Sequence, residues 1–410
     1  MKLKSLLFGS AAVLAAGTGA QAADLPTVEP VEYVRICDAF GTGFFYIPGT
    51  DTCLKLGGYV RVESHTVFGS DDDLGRRFST HANGLNFADV AGNQVNNWTT
   101  RVRGHVNWDV RTQTDIGLVR AFIALEGTRG PRAVTAGDNT PPIEGVGSYG
   151  SGVTLSSAFI QISNDWGTYT AGKFGSFFDF FGGYNPDTRI GIEAGTTDPN
   201  LFAWTFAGGN GFSFSVAAED PDSTGRRRNG DDDYEGMEAP DGVANIRVDQ
   251  GWGSAQIMGA VRHIHDVNGD GLGWAIGGGL KIGVPGGWEL SAQGGYSEGA
   301  VAYISSDIGH IGDFNGPDGD DTNTAWGARG GISGPIGTNF KVSADGSFYH
   351  YEEDDNGDEY DFAAVLVGAA WTPTPGLSLG PTFGWNSFDG DDAGEDWDIW
   401  GVMWRIQRNF

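Results

Sequence analysis

Apolar residues recur at every second position along most of this chain and almost nowhere at the 3.6-residue spacing of a helix, so the chain reads as strands throughout. The stretch NWTTRVRGHVNWDVRT, residues 97–112, shows the pattern at its clearest. Trp98, Thr100, Val102, Gly104, Val106, Trp108 and Val110 form an uncharged, mostly apolar row, and between them stand Arg101, Arg103, His105, Asp109 and Arg111. Ahead of it, near 54–66, Leu54, Leu56, Val60 and Val62 alternate with Lys55, Tyr59, Arg61 and Glu63. Behind it, near 114–127, Val119, Ala121, Ile123 and Leu125 oppose Arg120, Phe122 and Glu126. Further strands are predicted near 153–164, 167–174, 200–207, 211–218, 243–249, 254–264, 272–284, 287–299, 323–332, 338–351, 361–371, 376–388 and 397–410. The total is about sixteen, each close to the length of a tilted membrane strand.

The connections alternate in kind. Around Gln113, Asp165-Trp166, Gly208–Asn210, Gln250–Gly253, Pro285-Gly286, Ser333–Thr338 and Thr372–Pro375 they are short and rich in turn residues. Near 67–96, 128–152, 175–199, 219–242, 265–271, 300–322, 352–360 and 389–396 they are mostly long and acidic. Short turns at one edge and long loops at the other predict an all-β fold, a 16-stranded antiparallel transmembrane barrel with periplasmic turns and extracellular loops. A soluble β protein also alternates with one apolar face. Geometry favours the membrane: Trp98 and Trp108, ten residues apart on the apolar row, stand roughly 23 Å apart along the normal at ~45° tilt, matching the ~25 Å between aromatic girdles. In the last strand Trp400, Val402, Trp404, Ile406 and Phe410 share one face, and Arg408 breaks the row near the end, where it can reach head groups.

The chain opens with Lys2 and Lys4, an apolar run from Leu6 to Ala16 and the small triplet Ala20-Gln21-Ala22, the pattern of a secretory signal peptide over residues 1–22. Its removal takes two lysines and moves the formal net charge from −28 to −30. Such an acidic balance excludes nucleic acid as a partner. No later apolar run reaches the eighteen residues of a membrane helix. Gly occupies 68 of 410 positions, more than helices tolerate. With no linker-like break, residues 54–410 read as one barrel, preceded by a periplasmic segment 23–53 that leads into the first strand. Cys37 and Cys53 are the only cysteines. In an exported chain this pair reads as a disulfide.

If the apolar rows meet lipid, the alternate residues line a lumen. The predicted basic wall includes Lys55, Arg61, Arg101, Arg103, Arg111 and Arg120 from neighbouring early strands, with Lys173, Arg247, Arg262, Lys281, Arg329, Lys341 and Arg405 elsewhere. Fewer acids face them, among them Glu63, Asp109, Glu126, Asp249, Glu289 and Asp345. A barrel this wide needs an inserted segment to narrow it. The candidate is the third long link, where Phe174, Phe177, Phe178, Phe180 and Phe181 are apolar enough to fold inward, carrying Asp179, Asp187, Glu193 and Asp198. Acids on that loop facing arginines on the wall would set a transverse field that sorts solutes by size and charge.

EPVEYVRICDAFGTGFFYIPGTDTCLKLGGYVR, residues 29–61, resembles the amino-terminal signature of the rhizobial-type porins of alphaproteobacteria, and TAGKFGSFFDFF resembles their entry into the third loop. The resemblance runs over essentially the whole chain after the leader. It implies a homotrimeric diffusion channel in the outer membrane, sixteen strands per subunit, with a charged eyelet, and it supports the pairing of Cys37 with Cys53. Small hydrophilic solutes and ions are then the expected cargo, with outer-membrane lipid and lipopolysaccharide around the barrel. No cofactor, resident metal or catalytic residue is expected.

Two alternatives remain. A substrate-selective channel for sugars or anions would use the same architecture. An outer-membrane hydrolase would have to use Gly295-Tyr296-Ser297-Glu298-Gly299, which matches G-x-S-x-G but ends a strand instead of forming a strand-turn-helix elbow. DVNGDG, Asp266–Gly271, begins like a calcium loop, yet Gly277 stands at the twelfth position where Glu is required. The clusters Asp231–Asp233, Asp318–Asp321, Glu352–Asp355 and Asp389–Asp392 read as solvated external loops. Loosely bound divalent cations at these acidic loops are the sharper alternative.

Overall fold

A computed structural model describes residues 35–69, 98–130, 152–185, 198–221, 223, 237–266, 269–304, 312–313, 322–354, 357–390 and 396–410. The proposed leader 1–22 lies outside them. A two-residue strand β1 (Phe45–Tyr46) precedes β2 (Cys53–Phe68), β3 (Trp98–Thr114), β4 (Gly117–Arg129), β5 (Gly152–Asn164), β6 (Gly167–Lys173), β7 (Asn200–Gly209), β8 (Phe212–Glu219) and β9 (Asp241–Gln250). Then follow β10 (Gly253–Asp266), β11 (Gly269–Val284), β12 (Trp288–Glu298), β13 (Thr324–Ile336), β14 (Phe340–Glu352), β15 (Glu359–Thr374), β16 (Leu377–Gly390) and β17 (Trp397–Asn409).

Each strand from β2 to β17 pairs antiparallel with the next, and β17 pairs back onto β2 from Asn409↔Tyr59 to Trp400↔Phe68. The sheet therefore closes as a 16-stranded antiparallel barrel, and closure removes the unpaired edges that a membrane would not tolerate. At the seam the chain's last residue completes the ladder, Phe410 and Gly58 exchanging both backbone hydrogen bonds at 3.0 and 3.2 Å. The close approach needs a glycine: a Cβ at Gly58 would meet the His105 carbonyl and the Phe410 ring.

The outward row is apolar. Leu56, Val60, Val62, Val102, Val106, Ile123, Ile257, Leu280, Val367 and Ile406 are exposed. Trp98, Trp400 and Trp326 lie toward the long-loop end, and Phe340, Trp371 and Phe410 toward the short-turn end. No polar side of such a wall can face lipid without losing hydrogen bonds, so the polar side turns inward.

The inward face is not uniformly polar. Tyr349, Tyr351, Phe362, Phe388, Trp397 and Ile399, with Val301 and Ile304, form a buried cluster at the long-loop ends of β14–β17. Here inward-facing aromatics pack on one another instead of lining water. At the other end Cys37 is bonded to Cys53, and Phe44 packs beside the disulfide while Arg111 lies over its ring, 4.9 Å from the centroid. Residues 35–52, just before β2, are thus folded against the inner wall.

Candidate functional site

Strand register stacks the early basic residues into rungs across β17, β2, β3 and β4. Arg405, Glu63 and Arg101 share one rung. Gln407, Arg61, Arg103 and Thr128 share the next, followed by Tyr59, His105 and Glu126. Farther down come Lys55, Asp109 and Phe122, then Arg111 and Arg120. Successive rungs are two residues apart, roughly 7 Å along the strand, with Gly57, Asn107 and Ala124 on the uncharged rung between Tyr59 and Lys55.

Like charges directly opposite one another are unfavourable, and Arg61 faces Arg103 while Arg111 faces Arg120. Carboxylates in the adjacent rungs offset this. Glu63 accepts from Arg101 Nε and from Arg405, whose Nη2 lies 2.5 Å away. Glu126 receives Arg103 Nε at 2.9 Å. Asp109 receives both Arg111, at 2.8 Å, and Arg120, at 3.0 Å. Several guanidinium groups also lie over aromatic rings: Arg61 over Tyr59 at 4.5 Å, and Arg120 over both Phe122 and Phe159 at 5.2 Å. Lys55, Arg61, Arg101, Arg103, Arg111, Arg120 and Arg405 thus share their patch with Glu63, Asp109 and Glu126, leaving it cationic.

The first part of the third long link, residues 174–185 after β6, lies inside the barrel on the opposite wall. A segment outside the sheet must find partners for its backbone N–H groups, and side chains of the wall supply them. Glu219 of β8 accepts the Ser176 hydroxyl at 2.8 Å and the Phe177 N–H at 2.8 Å. Gln293 of β12 accepts the N–H groups of Phe180 and Phe181 at 2.9 and 2.8 Å. Asp345 of β14 accepts those of Tyr184 and Asn185 at 2.9 and 2.6 Å. Gln256 of β10 donates to the Asp179 carbonyl at 3.0 Å, and Arg329 of β13 donates to the Phe181 carbonyl. Burial, with the Glu289 carboxylate second, pushes the Tyr184 phenol above its usual range, so it stays protonated. Side chains are missing from the wall where the loop lies closest: a Cβ at Gly279 would strike the Phe180 ring, and one at Gly331 would strike Asp345 and Tyr184.

Of the acids predicted for this loop, Asp179 is bonded to Arg329 at 2.8 Å, on the wall behind the loop. Asp198 is exposed just before β7, and its carbonyl accepts from Lys173 Nζ at 2.9 Å. Asp187 and Glu193 lie outside the described residues. The anchors Glu219, Gln293 and Asp345 went unrecognised as such from sequence. Their signal was present, as polar positions on inward faces across from a phenylalanine-rich link with no strand partner of its own.

Ser297 lies within β12, fully buried, its hydroxyl 3.5 Å from the Ala325 carbonyl, so the G-x-S-x-G match builds no nucleophile elbow. Among the described residues no group of three or more His, Cys, Asp or Glu is placed to hold a metal. The clusters 231–233 and 318–321 lie outside those residues.

A closed sixteen-stranded barrel with apolar girdles, a cationic inner wall and a link folded against the facing wall defines a porin-type barrel of the outer membrane. A family model described as "Porin subfamily" matches residues 24–403. The porins Omp2b of Brucella suis biovar 1 and Brucella abortus are each 31% identical over 430 residues, covering 100% of both chains. The chain belongs to the porin subfamily. Its fold is similar to that of the outer membrane channel DcaP of Acinetobacter baumannii, with a TM-score of 0.65 at 16% identity over 89% of this chain and 99% of that one. It is also similar to the trimer form of OmpT of Vibrio cholerae, with a TM-score of 0.55 at 9% identity over 88% and 100%.

Proposed function

We propose that this porin carries small hydrophilic solutes and ions across the outer membrane by passive diffusion through a homotrimer. In each subunit the passage is narrowest between the third loop and the basic rungs of β2–β4. Lys55, Arg61, Arg101, Arg103, Arg111 and Arg120 form the cationic side. Asp179, Asp187, Glu193 and Asp198 belong to the loop opposite, although Asp179 spends its charge on Arg329. The carrying observation is the register that gathers basic side chains over a smaller number of carboxylates, on the wall opposite the pinned loop. A channel of this kind needs no catalytic group and no cofactor; the surrounding lipid and lipopolysaccharide meet only the outward row.

A substrate-selective channel of the same build is the second reading. The guanidinium groups stacked on Tyr59, Phe122 and Phe159 favour it, because a ring holds a cation in place as a fixed recognition edge.

Planar bilayers test both readings. Arg101→Ala and Arg103→Ala shift the reversal potential toward cations, and the trimer closes in three equal steps. Unchanged reversal potentials in both variants contradict the assigned constriction. Linear flux in solute concentration supports general diffusion, whereas saturating block by one sugar or anion supports the second reading.

A further inference from the structure

In the link between β12 and β13 the cluster Asp318–Asp321 reads as solvated, yet the link's first residues are among the most buried of the described residues. Ala300, Val301, Ala302 and Tyr303 are at most 1% exposed and Ile304 is 5% exposed. They form a short 3-10 turn, Val301–Tyr303, folded into the barrel beneath the long-loop end. We propose that this turn clamps the third loop in place through Tyr303, and that Arg262 is the positioning residue that holds the clamp.

Arg262 points inward from β10 and is 1% exposed. Its guanidinium donates to Asp241 of β9 at 2.8 Å and to Asp313, farther along the β12–β13 link, at 2.5 Å. The same Asp241 carboxylate accepts the Tyr303 hydroxyl at 2.7 Å, and Asp313 accepts the Val301 N–H at 3.0 Å. Asp313 is held in turn through its carbonyl, which accepts the Asn323 N–H at 3.1 Å. One buried cation therefore ties two strands of the wall to the Val301–Tyr303 turn and to Asp313 of the link. A buried ion network of this kind is weak evidence for stability, because desolvation opposes the attraction. Its directional bonds do fix where the Tyr303 ring sits.

That ring meets Phe178 of the third loop edge-on, 5.0 Å between centroids at 65°. Phe178 is 2% exposed and has the backbone of Gly277 behind it, where an added Cβ would lie 3.2 Å from its ring. Tyr303 thus presses Phe178 against a wall position that has no side chain. The hydrogen bonds that Glu219, Gln293 and Asp345 accept hold the loop's backbone, and Tyr303 holds the Phe178 side chain from the long-loop side.

This inference rests on the reading that the third loop narrows the pore. Single-channel recordings in planar bilayers would compare the wild type with Tyr303→Ala, Arg262→Ala, Arg262→Lys and a channel shortened within the third loop. Each protein is first shown to run as a heat-modifiable folded band. The clamp predicts about a doubling of open-channel current noise in Tyr303→Ala and Arg262→Ala, with a raised mean conductance, and a value between these and wild type for Arg262→Lys. A purely structural role would lower the temperature of band conversion and leave noise and conductance alone. If Arg262→Ala does not fold, Tyr303→Ala decides, since it leaves the Arg262 ion pairs intact. Wild-type noise and conductance in Tyr303→Ala, beside raised conductance in the shortened channel, overturn the clamp and leave the constriction standing. An unaltered shortened channel removes the constriction, and the clamp with it.

Discussion

Glu63 is a single carboxylate between two guanidinium groups, Arg405 on one side and Arg101 on the other, with its side chain fully covered. Its removal does more than subtract a charge. Breaking a buried pair by deleting one partner leaves the other uncompensated, at a cost of about 3–5 kcal/mol. Glu63→Gln keeps the shape and loses the charge, so it lowers the midpoint of denaturant unfolding and turns the lumen more anion-selective. Both shifts are read on one preparation, by unfolding curves and by reversal potentials. An unchanged reversal potential would mean that solutes do not pass this rung. At this scale the sequence disclosed which side chains share a face, because a period of two needs no knowledge of neighbours. It did not disclose that Arg101 and Arg405 meet on Glu63, because β17 and β2 are brought together only when the barrel closes, a separation of more than three hundred residues in the chain.

Among the elements, the strands were legible nearly to their ends: the stretch near 272–284 proves to be Gly269–Val284, and that near 338–351 to be Phe340–Glu352. Each strand carries its own alternation, so no partner is needed to read it. The third loop was legible as an inward segment from its phenylalanines. The ion pair between Asp179 and Arg329 was not, because it joins residues 150 apart in the chain. The β12–β13 link is acidic in composition, and the buried turn at its start has no periodicity to betray it. Gly279 offers an element-scale test. On the inward face of β11 any side chain would collide with the Phe180 ring, while Gly278, one residue before, faces outward with room near it. Gly279→Val lifts the loop from the wall and raises single-channel conductance; Gly278→Val leaves conductance unchanged. Equal conductance in the two variants would contradict the placement of the loop.

For the whole molecule the organising fact is closure. Sixteen amphipathic strands leave no edge, so the backbone of the described strands finds its partners within the wall. Apolar side chains can then face acyl chains, while the guanidinium groups of β2–β4 share an inner water column with their carboxylates. The disulfide between Cys37 and Cys53 ties the leading segment to the start of that wall, and Phe410 ties the chain's last residue to Gly58 at the seam. The measurement that bears most directly on this arrangement is the accessibility of two neighbouring spin labels, introduced singly as Val102→Cys and Arg103→Cys and attached in the refolded, bilayer-inserted protein. The label at 102 should be relaxed by oxygen dissolved in the bilayer, and the label at 103 by a water-soluble nickel chelate. The opposite pairing, with 102 open to the chelate and 103 to oxygen, would contradict the account.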